Sequence, residues 1–219
     1  MAQLVTGLTA ERVRANAAEV RDEIAQAAQR AGRDPGDVEL LAAVKYVPVE
    51  DLGVLEEAGI TTVGENRAQE LESKAAAHPG LAWDFIGQLQ SRKVKVIAPL
   101  VRRIHSVASD SALKELGKHE RPGLEWLVQV NIAGEEGKAG IAPGDLGAFL
   151  DRAPTSPAGL TVMPPFTEEP EDSRRWFAAA RELAEAHGLP QLSMGTTQDF
   201  AVAVEEGATI VRIGTRLYR

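Results

Sequence analysis

Three stretches of this sequence combine residue types that can do chemistry. The first is Leu41-Ala42-Ala43-Val44-Lys45-Tyr46-Val47, an apolar run that reads as a strand ending in an amine. Side chains alternate along a strand, so Leu41, Ala43 and Lys45 fall on one face. If that face is interior, small residues lie beneath a long amine, and desolvation enlarges the neutral nucleophilic fraction that an aldehyde requires. A lysine snorkelling from the rim into water is the plainer reading of this stretch alone. The second stretch is Leu192-Ser193-Met194-Gly195-Thr196-Thr197-Gln198-Asp199. Its hydroxyls, its glycine and the free N–H groups of a following helix together make an anion site. Simple N-capping by Thr196 or Thr197, with Asp199 in the first turn, is the structural alternative. The third is Val211-Arg212-Ile213-Gly214-Thr215. If Val211 and Ile213 pack outward, Arg212 projects inward and its guanidinium needs an acceptor. That acceptor is either a ligand or a carboxylate of the fold. Gly214 and Thr215 add an amide and a hydroxyl beside the proposed anion loop.

Other chemistries are excluded by what is missing. There is no cysteine, so disulfides, thiolate metal sites and a cysteine nucleophile are all ruled out. Of the four histidines, His105 ends a strand and reads as a hydrogen-bonded wall residue. His78, His119 and His187 show no ligand spacing, and no metal site is expected. The glycine fingerprint of dinucleotide binding does not follow the first strand. With 24 basic against 32 acidic residues the formal charge is −8, which argues against a nucleic-acid binder but leaves room for one local basic pocket. The opening residues lack a signal-peptide layout, and no apolar run approaches the roughly 20 residues that span a bilayer. The expectation is a cytoplasmic protein without membrane contact.

The elements that must position these residues follow from periodicity. Thr9 caps a helix whose apolar residues Val13, Ala17, Val20, Ile24 and Ala27 recur at helical spacing, and Gly32 and Pro35 close it. Eight apolar runs then alternate with helical patterns: 39–47, 60–65, 82–87, 102–107, 124–131, 158–163, 191–195 and 209–214. Eight strands with seven intervening helices predict a single (β/α)8 TIM barrel with an additional N-terminal helix. The helix covers about 9–31, the barrel about 39–219, and one domain spans 1–219. An open doubly wound sheet is the alternative, because counting strands does not show closure. In a closed barrel, Lys45 and the second and third stretches all fall at the carboxyl ends of strands, where active faces lie.

Eight segments in order also carry a resemblance: Ala43-Val44-Lys45, Gly64-Glu65-Asn66, Phe85 to Lys93, Ile104 to Val107, Gln129 to Asn131, Lys138 to Gly140, Leu192 to Gly195, and Val211 to Thr215. Together they resemble the pyridoxal phosphate homeostasis protein family, which is related to the barrel of alanine racemase. The resemblance implies pyridoxal 5′-phosphate (PLP) held as a Schiff base on Lys45. It places the phosphate near Ser193, Gly195, Gly214 and Thr215, with Thr197 in the position of a usual serine. It sets Arg212 against the pyridine nitrogen and Asn66 close to the ring. The implied role is balancing PLP and other B6 vitamers, with PLP-accepting apo-enzymes as partners and no catalytic residue assigned. This chain departs from the family pattern at Val47, where a second lysine is frequent, and at Thr196, Asp84 and Ala108.

An arginine stays protonated, so at the ring nitrogen it makes PLP a poorer electron sink than a carboxylate would. Racemases of this barrel type add a second acid/base group from another domain. This chain ends at Arg219, directly after the eighth strand. Tyr46 is expected to point away from Lys45, and Tyr218 is terminal. The expectation is binding without efficient turnover by a monomer. A minimal racemase-like PLP enzyme, and a PLP-free barrel enzyme for a phosphorylated metabolite, are the alternatives.

Overall fold

The computed structural model describes residues 4–219. Helix α1 (Ala10–Arg30) buries Val13, Ala17, Val20, Ile24, Ala27 and Ala28, the stripe that its three-to-four-residue spacing dictates. The Thr9 hydroxyl accepts from the Arg12 amide at its start, as the sequence predicts.

Eight strands follow: β1 (Glu39–Ala43), β2 (Thr62–Glu65), β3 (Ala82–Phe85), β4 (Arg103–Val107), β5 (Glu125–Val130), β6 (Gly159–Val162), β7 (Gln191–Thr196) and β8 (Ile210–Ile213). All neighbouring pairs are parallel, and β8 pairs back onto β1 with Leu41 opposite Arg212. The sheet is therefore a closed barrel, which sets aside the open alternative. Seven α-helices fill the connections: α2 (Leu52–Glu57), α3 (Ala68–Ala77), α4 (Val94–Ile97), α5 (Asp110–Lys118), α6 (Leu146–Leu150), α7 (Arg174–Ala186) and α8 (Phe200–Glu205). A short α9 (Thr215–Tyr218) follows β8, and α1 packs against α2, α8 and α9 on the outside. Among the described residues no helix is long and apolar enough to cross a membrane.

Strand alternation sorts the core into two parts. Val211 and Ile213 join the large cluster between sheet and helices. Ile210 packs inside the barrel with Leu41 and Leu127. Arg212, two residues beyond Ile210, shares its inward face, as predicted. The main difference from the sequence reading is at β1, which ends at Ala43 rather than at residue 47. The Val47 amide turns back onto the Val44 carbonyl, and Pro48 has no N–H to continue a ladder. Lys45 thus sits in a turn above the strand, not on it.

Candidate functional site

The carboxyl end of the barrel opens into a hollow of about 750 Å3. Lys45, Thr197, Arg212, Gly214 and Thr215 all line it, joined by Tyr46 and Tyr218. Closure makes this possible: β1 and β8 are neighbours, so residues 167 positions apart meet at one mouth. The Lys45 amine lies 4.5 Å from the centre of the Tyr46 ring. The expected divergence of Tyr46 from Lys45 fails because strand alternation stops at Ala43. The Tyr218 hydroxyl donates to the Ala43 carbonyl at 3.1 Å, and burial pushes its phenol well above the usual range, helped by the charge of Glu65.

A buried ion pair holds the Lys45 turn. Lys74 of α3 donates to the Val44 carbonyl at 2.8 Å and to Glu65 at 2.7 Å. The other Glu65 oxygen accepts the amides of Asn66 and Arg67 at 2.6 and 2.9 Å. One carboxylate therefore ties the turn carrying Lys45 to the loop carrying Asn66. The sequence reading attached no role to either residue, although Glu65 stands inside the Gly64-Glu65-Asn66 segment; a lysine in a polar helix gives no local sign that it turns inward.

Arg212 has no carboxylate partner at ion-pair distance among the described residues. Its guanidinium donates to the Ser193 carbonyl at 2.7 Å, the Ser193 hydroxyl at 2.5 Å and the Val162 carbonyl at 2.9 Å. Burial lowers its pKa to about 10, against a smaller upward pull from Asp199, so it remains charged at neutral pH. The structural ion pair weighed as its alternative role is not formed. A buried cation satisfied only by neutral acceptors keeps an unneutralised charge at the barrel mouth.

The loop after β7 is built differently from a simple cap. Neither threonine caps α8; instead Asp199 accepts from the amide and hydroxyl of Thr196 at 2.7 and 3.1 Å. The Thr197 hydroxyl accepts the Gly214 amide at 3.3 Å, which leaves its own proton to donate elsewhere. Gly195 adopts φ +89°, and a Cβ there would come within 2.6 Å of Ala203 and 2.9 Å of the Phe200 backbone. It lets β7 press against α8 and does not line the hollow.

Ser193 and Asn66 also lie outside that hollow. Ser193 is fully buried beneath Arg212, and its hydroxyl meets His105 Nδ1 at 2.9 Å. His105 Nε2 meets Asp84 at 2.9 Å, and Asp84 receives Arg102 at 2.7 Å and Arg103 at 3.3 Å. Both arginines also reach Glu39. His105 is thus the hydrogen-bonded wall residue its position suggested. Asn66 lines a smaller adjoining hollow of about 190 Å3, and Arg212 stands in the wall between the two. That hollow contains three buried polar atoms without a hydrogen-bond partner: Asn66 Oδ1, Ser106 Oγ and Thr161 Oγ1. Buried polar atoms are nearly always satisfied, so three around one cavity indicate a place for a polar ligand or water. The sequence reading assigned Ser106 no role although it stands inside the Ile104 to Val107 segment, and it held no sign of Thr161, a single hydroxyl on a separate strand.

The Asp84–His105 pair makes the fold acid-sensitive. Burial, reinforced by Arg212 and Arg103, outweighs Asp84 and holds His105 below its usual value. Burial alone would raise the Asp84 carboxyl, but His105 and the two arginines pull it net downward. Both groups have folded pKa values below their unfolded ones, so the unfolded chain binds more protons and stability is lost as pH falls. Urea midpoints are expected to decline first as pH drops below about 6.5, as His105 titrates in the unfolded chain, and further below about 4, where Asp84 does so. His105→Gln should remove the first decline and keep the second.

No family model matches the chain. It is 40% identical over 214 residues to the pyridoxal phosphate homeostasis protein of Aquifex aeolicus, covering 91% of this chain and 94% of that one. It superposes on PipY of Synechococcus elongatus PCC7942, solved with PLP bound, with a TM-score of 0.75 and 30% identity, covering 90% of this chain and all of that one (100%). Alanine racemase from Corynebacterium glutamicum shares the fold alone, at a TM-score of 0.69 and 15% identity over the whole chain (100%) and 63% of the racemase. On the identity and coverage of the Aquifex protein, the chain belongs to the pyridoxal phosphate homeostasis protein family.

Proposed function

We propose that this protein binds PLP as a Schiff base on Lys45 and serves intracellular vitamin B6 homeostasis without efficient turnover. The observation that carries this reading is the convergence of one amine, the buried and uncompensated Arg212 guanidinium and a hydroxyl-amide set on a single hollow. When bound, PLP supplies an aldehyde for the amine and a ring that withdraws electrons. In this reading Thr197, Gly214 and Thr215, which line the hollow, hold its phosphate. Arg212 faces the ring nitrogen as a fixed cation. Ser193 acts from beneath, orienting that guanidinium, while Gly195 gives the phosphate loop its path. Asn66 approaches the ring from the adjoining hollow, whose unpartnered polar atoms fit a ligand rich in acceptors and donors. PipY, 30% identical and solved with PLP bound, supports PLP as the ligand.

Weak turnover follows from what the residues can do with protons. Arg212 does not transfer one at neutral pH, and Tyr218 is committed to the Ala43 carbonyl. Tyr46 offers Lys45 its ring face. In this reading the protein is a cytoplasmic, single-domain monomer whose partners are PLP, related vitamers and PLP-accepting apo-enzymes.

The test is spectroscopic. Protein incubated with PLP and dialysed is expected to absorb in the visible, and borohydride should fix one pyridoxyl phosphate on the Lys45 peptide, read by mass spectrometry. A protein that stays colourless and unlabelled would overturn the reading and favour a PLP-free barrel enzyme for a phosphorylated metabolite. Robust amino-acid racemase activity from pure protein would overturn the non-catalytic part.

A further inference from the structure

The segment from Phe85 to Lys93 carries part of the family resemblance, yet most of it has no place at the Lys45 hollow. Phe85, Gln88, Gln90, Arg92 and Lys93 line a separate cavity of about 640 Å3 beside the start of α3. Arg67 and Lys95 complete its charged wall, and no carboxylate side chain lines it. Four cations around one concavity stand out on a chain whose formal charge is −8. Arg67 is paired with Glu70 at 2.5 Å. Arg92 donates only to its neighbour Gln90, at 3.1 and 3.2 Å. Among the described residues, Lys93 and Lys95 have no carboxylate within ion-pair distance. Three positive charges thus face one cavity uncompensated, and an anion between them would relieve their mutual repulsion.

The shape narrows the class of anion. A volume of about 640 Å3 lies within the ordinary range for small-molecule sites. Glutamine amides supply further donors, and Phe85 and Val96 supply apolar wall. A nucleic-acid strand would need cations spread along a surface rather than gathered in one cavity. We propose that this cavity is a second binding site, for a small molecule bearing a phosphate ester or diphosphate. Asn66 and Gln88 line both this cavity and the hollow walled by Arg212, so the two sites adjoin across the barrel mouth. The inference does not depend on PLP occupying Lys45.

The experiment uses pyrophosphate as probe, titrated by calorimetry into protein already loaded with PLP and reduced with borohydride. One site is expected, weakening as salt is added. The double substitution Arg92→Gln/Lys95→Gln should weaken it at least tenfold while leaving the Lys45 absorbance unchanged. Thr215→Val, which alters the Lys45 hollow, should leave pyrophosphate binding intact. If the protein takes up no PLP, the same titration on the protein as purified decides the question. Dependence on Arg92 and Lys95 but not Thr215 then sustains the second site while the cofactor reading falls. Absence of binding, binding indifferent to the double substitution, or binding lost in Thr215→Val would overturn the inference. So would tighter binding of a polyglutamate peptide than of pyrophosphate.

Discussion

Lys45→Ala is expected to fold normally and to lose the borohydride-stable cofactor completely. The amine makes no hydrogen bond or ion pair among the described residues, and its one close partner is the Tyr46 ring. Removing this half-buried cation–π contact costs about 0.5–2 kcal/mol, so the urea midpoint should move little. The covalent attachment, by contrast, has no substitute. Lys74 is buried and committed to Val44 and Glu65, and residue 47 is valine, so no second amine stands in the turn. Arg212, Thr197 and Thr215 remain and should retain some reversible PLP, seen as a ligand removed by dialysis. Lys45→Arg should behave like Lys45→Ala, because a guanidinium keeps the charge without the nucleophile. Retention of a borohydride-fixed label in either variant would transfer the attachment to another lysine.

Lys74→Met is expected to produce the largest loss of stability near the site. The substitution leaves the Glu65 carboxylate fully buried, with two backbone amides but no cation. Breaking a buried pair by removing one partner costs about 3–5 kcal/mol, or roughly 6–20 °C in Tm for a chain of this size. The Val44 carbonyl also loses its donor, which frees the turn that carries Lys45. Cofactor affinity should therefore fall along with stability. The double variant Lys74→Met/Glu65→Leu separates the causes: it should recover most of the stability, since no buried charge is left over, without restoring the tie between the two loops. A Lys74→Met protein as stable as the parent would mean that Glu65 is satisfied by its amides alone.

Much of the fold is legible in the sequence because it rests on short-range periodicity. The stripe of α1, its Thr9 cap, eight strands and seven connecting helices are each determined by side-chain spacing within ten or twenty residues. Strand ends are less legible. From Leu40 to Val47 only Lys45 is charged, but β1 stops at Ala43: the Val44 amide makes a last ladder bond to the Gly64 carbonyl of β2, and the Val47 amide closes a turn. Hydropathy does not encode that choice of hydrogen-bond partner.

The sequence by itself determined the chemical inventory: Lys45 following an apolar strand, hydroxyls at Thr196 and Thr197, and Arg212 flanked by outward-packing Val211 and Ile213. It also placed all three at the same end of their strands, since parallel strands run one way. Tertiary structure decided the rest. Closure of β8 onto β1 brought Lys45 beside Arg212. Packing turned Ser193 beneath the guanidinium rather than toward the Lys45 hollow, and set Asn66 across a dividing wall. It also buried Lys74 and Glu65 as the brace of the Lys45 turn. The physical reason is range: periodicity encodes which face a residue takes, whereas partners distant in sequence are fixed only when the barrel closes and every buried donor must find its acceptor.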